Sequence, residues 1–555
     1  MTRREILTST ATVLGVATEL QSATESYPNE LVRRHDDAVE RLLRTQVTDP
    51  ASPHRGGYPD EFGIHMAGSG GAILETCMAA YLCEQSRHHG RNELVDRMRL
   101  AAGFLERVQL PDGNISLLST NFDSPPDTGF VTHSVASAAR IAQLRNRKDL
   151  LAIPERWLKR AGNGLAVGGV HTPNHRWVVC EALAAIDEVF PDPRYRRRID
   201  QWLAEGIDID ADGQFTERST TIYNTVVDRA LTSVAIKQQR WDLLEPVRRN
   251  LDAMQYLLHA NGEVVTEVSR RQDRNVRGDL TRYWFPLQYL AIRDGNGKYA
   301  AMAKMAEPTG ASLALAMQYP ELRSPLPSPT PLPEDYVKEF NEIQIVRWRR
   351  GLASATLSLG SGNSRFFSVR NGAAVIQAVR FASAFFGQGQ FIPQTATKIP
   401  GGYRLEQSLE GAYYQPFDPP RRITTANYGT TRKERRQSQI CKLTQSVEVR
   451  EHKGGFSLTI DSRGTAGVPL AVEISLRPGG KLEGCTPLPR IADTHLLTGK
   501  RATYRIGPDE IHFGPGLDPA PHTWTQVRGS EAPVGGTSVY LTGMTPFRHV
   551  LDVAF

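Results

Sequence analysis

"RSPLPSPTPLPED", residues 323–335, divides this chain into two halves of different texture. Every second residue from Pro325 to Pro333 is proline. Proline fixes φ and carries no N–H, so the run cannot continue a helix and favours an extended, semi-rigid connection. On its N-terminal side, over residues 28–322, apolar residues recur at helical spacing: Val179, Leu183, Ile186 and Phe190, then Leu243, Val247 and Leu251. Short turns such as "LPDGN" (110–114) and "FPDPR" (190–194) separate these stretches, as in antiparallel helical hairpins. On its C-terminal side the period becomes two, in "LASATLSLG", "FSLTIDS" and "LAVEISLRPGG". The reading is therefore a multidomain α+β chain: helical hairpins over 28–322, a linker over 323–339, and an antiparallel β-sandwich over 340–555. No internal sequence repeat is evident.

The bulk properties fit a folded protein of two or three domains: 555 residues, 40% hydrophobic and 23% charged. The balance of 66 Lys+Arg against 60 Asp+Glu gives a net charge of +6. That is mild for this length; it suits an acidic substrate and argues against a nucleic-acid partner. "RKERR" (432–436) reads as a solvated loop. Five cysteines lack metal-ligand spacing, and Cys77, Cys83 and Cys180 sit in apolar stretches as buried thiols. No apolar stretch is long enough for a membrane span. In "MTRREILTSTATVLGVATEL" (1–20), Arg3 and Arg4 precede a weakly apolar run, so residues 1–27 read as a twin-arginine export signal or an N-terminal arm. An amphipathic first helix in a cytoplasmic protein is the alternative.

Chemistry concentrates in three segments. In "GGVHTPNHRWVVCEALAAI" (169–187), Pro173 fits the first helical position and Asn174-His175 fall in the first turn, where N–H groups and the helix dipole favour an anion. Simple capping would use the same residues. In "DADGQFTERSTTIYNTVVDRAL" (210–231), a turn holding Glu217 leads into a helix that carries Tyr223 near its start. In "TEVSRRQDRNVRGDLTRYWF" (266–285), Arg270, Arg271 and Arg274 offer forked donors for carboxylate or sulfate. Tyr58, His133, Tyr413 and Tyr414 are further candidates to line a sugar-binding cleft, as ring-stacking or hydroxyl-binding side chains. No nucleotide-binding, serine-nucleophile or zinc motif occurs. "DIDADGQF" (208–215) has aspartates spaced as in a calcium loop but lacks its terminal Glu. No cofactor is expected, and a structural divalent metal stays open.

The Asn-His pair followed by "DGQFTERSTTIY" resembles the heparinase II/III-like and alginate-lyase-like polysaccharide lyases. The resemblance implies an incomplete (α/α) toroid followed by an antiparallel β-sandwich, and β-elimination on a uronate-containing glycan. It implies that Asn174 and His175 neutralise the uronate carboxylate, with His175 also able to act as base, and that Tyr223 transfers protons. It further implies a sandwich-domain histidine, for which His452, His495, His512 and His522 are candidates. Two other readings stand beside it. One is a glycoside hydrolase whose carboxylate pair comes from Asp127, Asp212, Glu217 and Asp228; the other is a non-catalytic glycan-binding protein. The sugar, the linkage and the oligomeric state stay open.

Overall fold

The computed structural model describes residues 26–360 and 362–555. The twin-arginine segment expected at the N-terminus falls outside the described residues. Among the described residues, the helices of the N-terminal half form hairpins in which each inner helix packs on the outer helix that follows it: Ala67–Leu82 on Asn92–Val108, Pro125–Leu144 on Lys148–Val167, Pro173–Val189 on Pro193–Leu203, Tyr223–Lys237 on Leu244–Met254, and Trp284–Asp294 on Gly297–Met305, while Asn29–Thr45 and Ser312–Gln318 meet at the closure. Each inner helix also packs on the next inner helix. Ser312–Gln318 returns against Ala67–Leu82 and Pro125–Leu144, so these six form an inner ring.

Burial follows from the sequence pattern. The outer helix Pro193–Leu203 is arginine-rich and buries only Tyr195 and Ile199. The inner helix Pro173–Val189 is buried on nearly every face, as expected of a helix that is apolar all round. Small residues let the inner helices approach closely. A Cβ at Gly129 would lie 3.0 Å from Val178 Cγ1 on the neighbouring inner helix.

The structure reveals a repeat that the sequence reading missed. Asp112-Gly113, Asp212-Gly213 and Asn261-Gly262 occupy equivalent tight turns, each followed two residues later by a buried Ile115, Phe215 or Val264. All three glycines have positive φ, at 96°, 77° and 81°, a conformation that glycine adopts without penalty. Gly113 and Gly213 also back onto outer helices, where a Cβ would lie 1.9 Å from the Arg160 carbonyl oxygen and 2.4 Å from that of Arg249. The repeat escaped notice because only two or three positions per unit are fixed by geometry.

The C-terminal half forms two stacked sheets of nine and eight strands. The nine-stranded sheet begins with Asp335–Phe340, Ile345–Arg350, Ala353–Ser358, Phe367–Asn371 and Ala374–Ser383, and continues through Pro469–Leu476 and Thr537–Met544. Its pairings are antiparallel except that of Thr494–Leu496 with Thr537–Met544. Trp348 and Phe367 of this sheet meet Tyr403 and Phe456 of the other edge-on, at ring separations of 5.3–6.2 Å. The first strand starts inside the segment read as linker. From Glu334 to Phe340 every residue again has an N–H, and Asp335 pairs opposite Arg350 at once.

The outer face of the nine-stranded sheet is polar and packs on the toroid. His259 Nδ1 lies 2.9 Å from Ser354 Oγ, and the Ser368 hydroxyl donates to Glu267 at 2.9 Å. Arg370 donates to Glu263 at 2.6 and 2.9 Å. The Asp212 carboxylate accepts the backbone N–H groups of Glu342 and Ile343 at 2.6 and 3.0 Å. Asp212 and Glu263 both belong to the repeated turns, so the turns that link one hairpin to the next also seat the sandwich.

Candidate active site

The helix Pro173–Val189 begins without a local cap: Thr172 is extended and its side chain makes no capping hydrogen bond. Glu217 takes that role from another segment. Its Oε2 accepts the Asn174 backbone N–H at 3.2 Å and also the Asn174 side-chain amide. A carboxylate at this position is favoured by the free N–H groups and the positive end of the helix dipole. The other oxygen, Oε1, accepts Arg271 Nη1 at 2.6 Å. Asn174, Glu217 and Arg271, from three consecutive hairpin regions, are thus joined through one buried carboxylate.

Arg271 also binds the third element. Its guanidinium lies over the Tyr223 ring, 4.6 Å from the centroid, and the neighbouring Gln272 donates to the phenol oxygen at 3.0 Å. Buried Asp273 fixes the loop that carries both residues. It accepts the hydroxyls of Ser219, Ser269 and Thr221 at 3.0–3.1 Å and the Thr221 N–H at 3.0 Å. Ser219 in turn accepts the Tyr223 N–H at 3.1 Å. One aspartate therefore sets the distance between Arg271 and the start of the Tyr223 helix.

His175 is buried beside the pair, edge-on to His171 at 4.7 Å and to Phe130 at 6.1 Å. Its Nδ1 and the Asn174 Oδ1 are buried without hydrogen-bond partners among the described residues, which is uncommon for polar groups in native folds. Burial first, then neighbouring His171 and more weakly Arg271, push the His175 pKa from 6.5 down to about 4, against an opposing pull from Asp127 that exceeds that of Arg271. The imidazole is therefore neutral at neutral pH. An unfolded histidine binds a proton near 6.5 and this one only near 4, so the unfolded chain takes up more protons between those values. The contribution is full above pH 6.5 and is lost as pH falls toward 4. Buried His259 is shifted in the same direction, so the test is a comparison. His175→Gln should flatten part of the acid limb of the stability profile, measured by thermal unfolding from pH 4 to 7. An unchanged limb would exclude His175 as its source.

Other predicted residues fall elsewhere. Glu217 was expected to meet substrate, but both its oxygens are occupied and it is buried, so it is a clamp. Asn174 likewise gives its amide donor to Glu217 rather than presenting it. His133 lies 3.2 Å from buried Glu181, which also pairs with Arg229 at 2.9 Å. Burial alone would raise the Glu181 carboxyl, but Arg229 and His133 outweigh it and hold it at about 2. Arg270 and Arg274 are exposed; among the described residues, Arg274 reaches only the Gly362 carbonyl, at 3.4 Å. Tyr58 packs half-buried against the toroid core. Tyr413 packs against Phe386 at 5.8 Å, and Arg432 covers Tyr414 at 4.6 Å.

Among the described residues, none of the four candidate sandwich histidines touches this cluster. His452 pairs with Asp552 at 2.8 Å, His512 with Thr503 at 2.9 Å, and His522 bridges the carbonyls of Leu470 and Gly543 at 3.1 and 3.0 Å. His495 lies on a strand near the far edge of the nine-stranded sheet. Replacing any one by Ala should leave turnover within about threefold of the parent, the usual outcome for residues remote from the chemistry; a larger loss in a steady-state assay would reinstate that histidine. Of the hydrolase carboxylates, Asp127 and Asp212 are committed, and Asp228 is shut away from solvent with neither oxygen hydrogen-bonded among the described residues. Asp127 accepts from Ser124 and Asn121 at 2.6 and 2.9 Å, and Asp212 holds the sandwich. Asp228 is fully buried, and burial raises its pKa well above the usual range.

With this geometry in view, solved structures give the comparison. The chain superimposes on the Streptomyces coelicolor A3 chondroitin AC lyase, solved with chondroitin sulphate, with a TM-score of 0.57 at 14% identity, over 96% of this chain and 80% of that one. Heparinase III matches with a TM-score of 0.56 at 11% identity, over 96% and 87%. A Paenibacillus xanthan lyase matches with 0.56 at 10%, over 96% of this chain and 58% of its own. The fold is that of the toroid-and-sandwich polysaccharide lyases. No protein-family model matches this chain, and no curated protein sequence matches it. At these identities the polysaccharide-lyase likeness is one of architecture, and the side chains must be argued on their own. Among the described residues, no helix is long and apolar enough to cross a membrane.

Proposed function

We propose that this protein is a polysaccharide lyase that cleaves a uronate-containing acidic glycan by β-elimination. The observation that carries the reading is the convergence of Arg271 and Gln272 on Tyr223, beside neutral His175, in a fold shared with polysaccharide lyases.

In β-elimination a base takes the C5 proton, the C4–O bond breaks, and the departing glycosidic oxygen receives a proton, leaving a C4–C5 double bond. The C5 proton becomes removable only when the adjacent carboxylate is neutralised and the developing enediolate is stabilised. Arg271 uses one Nη1 hydrogen bond on Glu217, and its remaining donors suit the uronate carboxylate. Tyr223 is the proton carrier between C5 and the leaving oxygen. Stacked Arg271 supplies positive charge beside the phenol as negative charge develops. His175, already neutral, accepts a hydrogen bond or a proton without first losing one. Glu217 holds Asn174 and Arg271 in register and does not itself turn over.

The test is ultraviolet absorbance during incubation with a panel of glucuronans, alginate, ulvan- and gellan-type polymers and glycosaminoglycans. A rising absorbance from an unsaturated uronate is the expected result. New reducing ends without that absorbance would replace elimination by hydrolysis, and binding without either would leave a glycan-binding protein. The Arg3-Arg4 motif supports export to where such polymers occur. Its test is whether residues 1–27 direct a folded reporter out of the cytoplasm.

A further inference from the structure

The loop that carries Arg271 has a second side. Arg271 and Gln272 reach Glu217 and Tyr223, whereas Thr266, Glu267 and Arg277 wall a cleft between the toroid and the nine-stranded sheet. The cleft is small, about 40 Å³ and partly open to solvent, and Arg365, Arg370 and Arg477 line its other wall.

Its two carboxylates are already committed. Glu263 accepts four hydrogen bonds from Arg370 and Arg477, at 2.6–3.0 Å. Glu267 accepts the Ser368 hydroxyl at 2.9 Å and the Thr266 N–H at 3.1 Å. Donors are left over. Among the described residues, the Nε–H of Arg370 is buried without an acceptor. The half-buried Arg365 guanidinium makes no ion pair or hydrogen bond among the described residues. Burial and the neighbouring charges of Arg380 and Arg274 lower its pKa, against the more weakly opposing Glu531 and Glu473. Arg277 is 77% exposed and touches Glu263 only at 3.5 Å. Buried donors without acceptors are costly, and forked guanidinium donors match planar or tetrahedral oxyanions.

We propose that this cleft is a second anion subsite, which takes a sulfate or carboxylate group carried by a sugar of the bound glycan beyond the uronate at Tyr223. The glycan as source of the anion rests on the lyase reading; the anion site itself does not. One loop walls both places, and that shared loop is what ties the anion to the glycan bound at Tyr223.

Two measurements test it. In the first, thermal unfolding of the full chain is followed while sodium sulfate replaces sodium chloride at constant ionic strength. The parent should show a saturable rise in midpoint that Arg365→Ala and, independently, Arg277→Ala reduce by more than half. Exposed Arg277 guards against misfolding of the Arg365 variant. In the second, elimination is measured on paired glycans with and without the additional acidic group. Each variant should raise KM roughly ten- to a hundredfold on the more acidic polymer, with kcat and the less acidic polymer unaffected. Equal sulfate responses in parent and both variants would overturn the site. A lost sulfate response with unchanged KM would make it a site for free oxyanions and overturn the glycan assignment. A lost sulfate response with no elimination on any polymer would retain the site while the lyase reading failed.

Discussion

Tyr223→Phe should lower elimination by two to four orders of magnitude, the range expected for loss of a positioned proton-transfer group, and leave the fold intact. The substitution removes only the phenol oxygen. The ring stays beneath Arg271, whose guanidinium lies 4.6 Å from its centroid. The one hydrogen bond lost is that from Gln272, an exposed residue, worth about 1 kcal/mol or less at such a position. Stability and activity are therefore separable here. The experiment pairs the initial rate of unsaturated-product formation with the unfolding midpoint. A rate within a few-fold of the parent would remove Tyr223 from the proton path. A collapse of both quantities would show a structural role instead. Arg271→Lys sharpens the result: it keeps a positive charge but loses the flat guanidinium that stacks on the ring and reaches Glu217. It should cost activity roughly ten- to a hundredfold, the scale of a weakened charge-assisted contact. An unaffected rate would mean that charge alone, rather than stacking and the Glu217 bond, is what the site needs.

The fold could be read from sequence where a periodicity reports burial directly. The change from helical to alternating spacing across residues 323–335 needed no tertiary information, and Pro325 to Pro333 marked the place. Asn174, His175 and Tyr223 could be singled out because polar or phenolic side chains stood at the starts of otherwise apolar helices. Glu217 could not be assigned correctly, since its role is made by partners in two other hairpins, and a buried clamp looks like any turn glutamate in sequence. The same limit applied to the arginines. "SRRQDR" (269–274) offers three in six residues, and only the fixing of Asp273 by Ser219, Ser269 and Thr221 decides that Arg271 turns inward. The sandwich histidines misled for a related reason. Alternation tells which strand residues share a face, but not which face meets the toroid. That face presents Arg347, Arg370 and Arg477 in place of histidine.

Those arginines lead to the largest stability effect expected in the molecule, that of Glu263→Ala. Glu263 is buried at the seam and pairs with Arg370, on the strand Phe367–Asn371, at 2.6 Å and with Arg477, just past the end of the strand Pro469–Leu476 in the same sheet, at 2.8 Å. Burial alone would raise its pKa, but the two arginines outweigh that and hold it at about 2, below the ordinary 4.5. Truncation leaves the Arg370 charge buried without its carboxylate, a situation that costs about 3–5 kcal/mol. The seam should weaken more than either core, because Glu263 belongs to neither hydrophobic cluster. The expected signature is an unfolding midpoint lowered by roughly 10 °C, with toroid and sandwich separating into two transitions. The difference from the parent should be constant above pH 4.5 and shrink as pH falls toward 2, since a carboxylate with a lowered pKa stabilises only where it would otherwise be ionised. A loss below about 1 kcal/mol would show that the Asp212 and His259 contacts hold the domains without this cluster. Because the repeated Asn261-Gly262 turn places Glu263, such a result would also reduce that turn to a local link between hairpins. A large loss would make the toroid's own repeat the element that fixes the sandwich over the Tyr223 rim.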